Sequence, residues 1–212
     1  MKVKVCGITN LEDAERAVEL GAWAIGMIHH KGSPRAVKAS VAAEIGAALR
    51  RQAEIVGVFV NPTLDRVVAA VENEGLSMVQ LSGNEGANFC LEVARRTGVK
   101  VIKAIHVSSA ADIRGAEAFR GTDYHLFDTG GRDSWGGTGE TFDWDLLAGH
   151  HSGMPFILAG GLDPDNVTEA IRITRPDAVD VASGIERAPG LKDHGRMASF
   201  FQAAHYTPVA GA

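Results

Sequence analysis

The sequence predicts an α/β chain folded as a single-domain (β/α)8 barrel, the TIM-barrel class. Three observations predict it. Eight short runs rich in Val and Ile recur along the chain. They are mostly continuous rather than alternating, which suits parallel strands buried on both faces. Each run is followed by a polar turn and a stretch with helical spacing. The 212 residues divide into eight units of about 26, the compact end of an architecture that begins near roughly 200 residues. An open doubly wound sheet would use fewer strands at this length and carry a Gly-rich phosphate turn after its first strand. Here the richest glycine positions come late in the chain.

The expected strands are Val3–Ile8, Ala22–Ile28, Ile55–Val60, Met78–Leu81, Val99–Ile105, Tyr124–Phe127, Phe156–Ala159 and Ala178–Ala182. After the first, Thr9-Asn10-Leu11-Glu12 reads as a capping box headed by Thr9. Leu11, Ala14 and Val18 then share a face, and Gly21 stops the helix. Asn61-Pro62 opens a helix carrying Leu64, Val67, Val68 and Val71, which ends at Gly75. Asp163-Pro164 opens another with Val167, Ala170, Ile171 and Thr174. Proline suits a first helical position because its missing N–H would have no partner there. Cys90 falls inside the fourth expected helix and reads as core. Met197, Phe200, Phe201 and Ala204 form the last apolar stripe. Thr129–Glu140, with glycines at 130, 131, 136, 137 and 139, is a long irregular loop after the sixth strand. Such a loop is expected at the functional face; the alternative is a plain surface excursion. The barrel is expected to span residues 1–205 without a domain boundary, and 206–212 to fray.

Bulk properties narrow the function. The formal net charge is −5, with 45% hydrophobic and 22% charged residues. That balance argues against nucleic-acid and membrane-surface partners, which call for a basic footprint. No apolar stretch approaches the ~20 residues that span a bilayer, and no signal-peptide pattern opens the chain. Two cysteines make no disulfide framework, so a reducing, cytoplasmic setting is expected. His29-His30 and His150-His151 match no metal-ligand spacing, because neighbours in a strand point to opposite faces. Trp23, Trp135 and Trp144 form no stacking platform.

In a barrel, chemistry sits at the C-terminal ends of the strands. Cys6 ends the first strand just before a capped helix, whose dipole favours a thiolate; the alternative is a structural core cysteine. Arg35 follows Ser33-Pro34 after the second strand, where a guanidinium suits a planar carboxylate; the alternative is a solvated arginine. Asp128 leaves the apolar sixth strand beside the glycine loop and suits a general acid; the alternative is a cap or loop-ordering bond. Gly160-Gly161 and Ser183-Gly184 follow the last two strands, the usual phosphate-binding pair of loops; turn glycines are the alternative. No Gly-Lys-Ser/Thr occurs, so no nucleoside triphosphate site is expected.

These segments together resemble the phosphoribosylanthranilate isomerase family. The likeness runs through Lys4-Val5-Cys6-Gly7-Ile8-Thr9, Ser33-Pro34-Arg35, Val56-Gly57-Val58-Phe59-Val60-Asn61 and Val79-Gln80-Leu81. It continues through Gly136-Gly137-Thr138-Gly139, Ala159-Gly160-Gly161-Leu162, Val179–Glu186 and Pro189-Gly190-Leu191-Lys192-Asp193, and so spans essentially the whole chain. The resemblance implies an Amadori rearrangement of N-(5-phosphoribosyl)anthranilate to 1-(2-carboxyphenylamino)-1-deoxyribulose 5-phosphate in tryptophan biosynthesis, without metal or organic cofactor. It implies Cys6 as general base and Asp128 as general acid. Arg35 would hold the anthranilate carboxylate, and the backbones at Gly160, Gly161, Ser183 and Gly184 the phosphate. Asp180 would help order the substrate. The partner implied is a small phosphoribosyl molecule, with the protein a monomer or homodimer.

Three departures touch the anthranilate side. Ser82 stands where the resemblance calls for His, Ala36 follows Arg35 in place of an aromatic, and Gly26-Met27-Ile28-His29 replaces a Phe-bearing strand end. His29 is expected to supply a substitute polar contact. Competing readings are another phosphosugar-binding barrel isomerase and a non-catalytic barrel subunit.

Overall fold

A computed structural model describes residues 1–128, 143–147 and 153–206. Eight parallel strands close on themselves in sequence order: β1 (Lys2–Cys6), β2 (Ala24–Ile28), β3 (Glu54–Phe59), β4 (Met78–Leu81), β5 (Lys100–His106), β6 (Tyr124–Asp128), β7 (Phe156–Leu158) and β8 (Ala178–Val181). The closing seam pairs β1 with β8, aligning Lys4 with Asp180. Around the barrel run α1 (Leu11–Glu19), α2 (Ala39–Leu49), α3 (Leu64–Glu74), α4 (Ala87–Thr97), α5 (Ala110–Gly115), α6 (Val167–Thr174) and α7 (His194–His205). None of the described helices is long and apolar enough to cross a membrane.

Strand alternation builds two concentric cores. Inward residues such as Ala24, Val56, Met78, Ile102, Leu126 and Ile157 fill the barrel. Outward residues such as Val5, Ile25, Ile55, Val101, Phe127 and Val179 pack beneath the helices. The same alternation fixes the mouth. Cys6 follows Lys4 inward on β1, Asp180 follows Ala178 on β8, and Asp128 follows Leu126 on β6.

Several expected boundaries shift, each for a local reason. The cap of α1 is Asn10, whose side chain accepts from the Asp13 N–H at 2.8 Å. Thr9 is not the cap, because its hydroxyl donates instead to the Gly190 carbonyl at 2.5 Å. The cap of α3 is Thr63 rather than Asn61-Pro62. Asn61 adopts a left-handed φ of 46°, and its N–H donates to Glu85 at 2.7 Å. Asp163 accepts from the N–H groups of Asp165 and Asn166, so α6 begins only at Val167. Between β6 and β7 the described residues form a 3-10 turn over Trp144–Leu146. After β8 come a 3-10 turn (Ser183–Ile185) and a short hairpin, β9 (Glu186–Ala188) and β10 (Leu191–Lys192), which no periodicity foretold. The expected loop 129–140, His150-His151, Trp135 and residues 207–212 lie outside the described residues.

The outer layer is tightest where α2 meets α3. A Cβ on Gly46 would lie 1.8 Å from the Glu74 carbonyl oxygen. Gly46→Ala gains helix propensity of about 1 kcal/mol, yet overpacking typically costs about 1–3 kcal/mol. At so close an approach overpacking wins. The expected outcome is a net loss of about 2 kcal/mol, read as a lower urea midpoint with an unchanged m-value.

Candidate active site at the barrel mouth

The C-terminal ends of the strands surround one cavity. Cys6, Arg35, Asp128, Gly160, Gly161, Asp180 and Ser183 all line it. Seven of the eight residues singled out from the sequence therefore converge, although they come from opposite ends of the chain. The eighth, Gly184, follows Ser183 in the same turn without lining the cavity itself. A Cβ there would lie 2.0 Å from the Leu162 carbonyl oxygen, so its bareness lets the β8 loop pack directly on the β7 loop. Gly160 and Gly161 both have positive φ, 88° and 62°, which L side chains rarely adopt. The Asn166 amide donates to the Gly161 carbonyl at 2.8 Å and fixes that turn.

Beneath Cys6 lies a charged floor. Lys4, fully buried, donates to Asp180 Oδ1 at 2.8 Å. Burial alone would lower the Lys4 pKa, but Asp180 and then Cys6 outweigh it and hold the ammonium above its ordinary range. Burial pushes the Cys6 thiol upward; Lys4 opposes this, Asp180 adds to it, and Lys192 and the Lys4 hydrogen bond also oppose it. Burial wins, and the thiol is held above its ordinary value. Gly26, beside Cys6 on β2, makes room for this group: a Cβ would lie 2.9 Å from Cys6 Sγ and 3.2 Å from Lys4 Nζ.

Arg35 is held from one side. Its Nε donates to Glu186 at 3.0 Å and its Nη2 at 2.8 Å. A Cβ on Gly7 would meet Arg35 Cδ at 2.8 Å, and Gly7 has a φ of 73°; only glycine allows the arginine to lie across that turn. Glu186 also accepts from the buried Lys192 at 3.0 Å. Lys192 in turn donates to the carbonyls of Cys6 and Ala182 at 2.6 and 3.1 Å. The hairpin thus ties the ends of β1 and β8 to the arginine. Burial alone would raise the Glu186 pKa, but Arg35 and Lys192 outweigh it and hold the carboxyl below its ordinary value.

The expected role of His29 is corrected. Residues 24 and 28 of β2 point inward, so residue 29 points out. His29 stacks on Phe59 with ring centroids 4.7 Å apart and meets Glu74 at 3.1 Å, in a side groove that Ala36 also lines. His30 lines the mouth instead, as do Ser82, Gln80 and His106. The sequence singles out no role for Lys4, Glu186, Lys192, Gln80 or His106, which the structure brings to the mouth or its floor. Strand alternation from Cys6 points to Lys4, two residues earlier. Glu186 and Lys192 fall in segments that carry the resemblance, but no periodicity marks them for a role. Among the described residues, no group of three or more His, Cys, Asp and Glu side chains is placed to hold a metal ion.

A sequence model of N-(5'-phosphoribosyl)anthranilate (PRA) isomerase matches residues 3–203. The chain is 44% identical to the N-(5'-phosphoribosyl)anthranilate isomerase of Geotalea uraniireducens over 203 residues, 96% of this chain and 98% of that one. It superimposes on the phosphoribosyl anthranilate isomerase of Thermotoga maritima with a TM-score of 0.89 at 39% identity, covering 96% and 98% of the two chains. A further structure describes that Thermotoga protein as dimeric. Another phosphoribosyl anthranilate isomerase structure, in complex with reduced 1-(o-carboxyphenylamino)-1-deoxyribulose 5-phosphate, matches with a TM-score of 0.86 at 38% identity, again over 96% and 98%.

Glu186→Gln leaves two cations facing a neutral amide. Removing one partner of a buried pair typically costs about 3–5 kcal/mol. The retained amide oxygen should limit the loss to about 3 kcal/mol near neutral pH. Because the folded pKa of Glu186 is depressed, its contribution is present above the ordinary value of 4.5 and is lost as pH falls through the lower folded value. Urea unfolding across this range should show the variant's deficit shrinking as pH falls below 4.5.

Proposed function

The chain belongs to the N-(5'-phosphoribosyl)anthranilate isomerase family, and from that premise we propose how its residues divide the work. The reaction is the rearrangement of N-(5-phosphoribosyl)anthranilate to 1-(2-carboxyphenylamino)-1-deoxyribulose 5-phosphate in tryptophan biosynthesis. The single observation that carries the assignment is that Cys6 and Asp128 line the same cavity as the two glycine turns.

Protonated Asp128 donates to the ribose ring oxygen. The C1′–O bond breaks, that oxygen leaves as a hydroxyl, and the anthranilate nitrogen's electron pair forms C=N. Cys6, as thiolate, removes the proton from C2′. The released pair forms C1′=C2′ and returns the C=N electrons to nitrogen, giving an enol-amine that tautomerises to the ketone. Lys4, as a cation beside Cys6, supports the thiolate when it forms. Backbone N–H groups at Gly160, Gly161, Ser183 and Gly184 hold the phosphate, using the close approach that bare turns permit. Arg35, anchored by Glu186 along its Nε edge, offers the remaining guanidinium N–H groups to the carboxylate. Asp180 holds Lys4 in place and so orders the floor under the sugar. A reducing, cytoplasmic setting suits two buried free cysteines.

The acid and base act as a pair carrying one proton. The form with Asp128 protonated and Cys6 ionised is a fixed minority of the singly protonated pair, whatever the pH. Its population therefore falls only when both groups are protonated or both are ionised. The kcat/KM profile is expected to be bell-shaped, with its alkaline limb above pH 9, since burial raises the thiol beyond that ordinary value. An alkaline limb near neutrality would remove Cys6 as its source. Cys6→Ala and Asp128→Asn are each expected to lower kcat by at least about a hundredfold, the scale of a positioned acid or base. The measurement is the loss of anthranilate-ribose-phosphate fluorescence, checked by rescue of a tryptophan auxotroph. Rescue at the parent's level by both variants would overturn the assignment.

A further inference from the structure

The roles above account for the phosphate, the carboxylate and the two proton transfers, but not for the sugar hydroxyls. The mouth is divided by chemistry. Its β7–β8 side offers backbone donors and its β2 side a guanidinium, while the β3 side contributes Val58 and, just past the strand, Val60. The β4–β5 side is polar. Gln80 Nε2 donates to Ser82 Oγ at 3.0 Å, and both residues line the cavity with His106.

His106 is the last residue of β5. Ile102 and Ala104 point into the barrel, and alternation carries His106 inward after them. In the β5–β6 pairing it is the direct partner of Asp128. Paired residues on neighbouring strands lie about 5 Å apart with side chains on the same face. Burial, the largest influence, lowers the imidazole pKa; the Ser82 backbone opposes this and Lys103 adds to it. The ring is therefore neutral near pH 7, with one donor and one acceptor nitrogen. Such a group matches a hydroxyl, and as a neutral neighbour it does not pull the proton from Asp128 as a cation would.

We propose that His106 contacts the substrate and holds the C4′ hydroxyl created when Asp128 protonates the ring oxygen, so favouring the ring-opened sugar. This rests on the assignment of Asp128 as the acid. The proton moves from Asp128 to the ring oxygen; His106 only accepts a hydrogen bond from the new hydroxyl and transfers nothing.

The test uses reduced 1-(o-carboxyphenylamino)-1-deoxyribulose 5-phosphate, an open-chain molecule, together with its 4-deoxy counterpart and inorganic phosphate. Calorimetry compares the parent, His106→Ala and His106→Asn. His106→Ala should bind the open-chain analogue about tenfold more weakly, the scale of one lost hydrogen bond. His106→Asn should recover part of that loss. Both variants should bind phosphate as the parent does, and the 4-deoxy analogue should not distinguish parent from His106→Ala. Equal affinity of parent and His106→Ala for the full analogue would overturn the proposal. So would an equal loss for the 4-deoxy analogue, which would mark a structural effect. Failure of the underlying reading looks different: Asp128→Asn would turn over normally while the His106 variants still weakened the analogue, and a contact independent of ring opening would replace this one.

Discussion

The buried ion pair between Lys4 and Asp180 sits on the seam where the first and last strands close the barrel. Its two carriers are exact neighbours in the β1–β8 pairing. A lone buried charge is costly, and removal of one partner of such a pair is strongly destabilising. The seam therefore closes in the register that brings ammonium to carboxylate, since a slip of either strand by one residue would put the two side chains on opposite faces of the sheet. That register sets the height of Cys6, two residues beyond Lys4, and of Ser183, three beyond Asp180. One electrostatic constraint thus aligns the thiol with the turn that follows β8.

A second set of charges extends this order outward. Lys192 joins the end of β1 to the end of β8 and carries Glu186, which grips Arg35. The hairpin supplies both residues, and bare positions at Gly7, Gly26 and Gly184 give the groups the space they need. The mouth combines hard charge pairs below with uncharged polar groups above. Charged groups thus lie beneath Cys6, while uncharged polar side chains such as Gln80 and Ser82 stand at the rim.

Much of this was legible in the chain itself. The β4 strand appears as expected at Met78–Leu81, and the other strands deviate by a residue or two at their ends. Continuous Val- and Ile-rich runs survive tertiary context because both faces are buried. Caps were less legible. Thr9 was drawn away from α1 by a carbonyl 181 residues distant, and Asn61 was turned by a loop on the next strand. Alternation from Ala24 and Ile28 turns His29 away from the barrel, so the strand pattern itself carries the correction to its expected role. Glu186 and Lys192 belong to strands of three and two residues, too short for any periodic signal, and their importance comes from partners that only the closed barrel supplies.

The bond between Arg35 and Glu186 spans 151 positions of chain. During synthesis the arginine leaves the ribosome long before its anchor is made, and Cys6 waits longer still, 186 positions, for the lysine that grips its backbone carbonyl. A nascent half-barrel can pair its early strands, but it has no finished mouth. Competence arrives only once residues 186–192 are made, as a closing event of high contact order, so a chain that stops before them lacks both the clamp on Arg35 and the helix α7 that packs on the core.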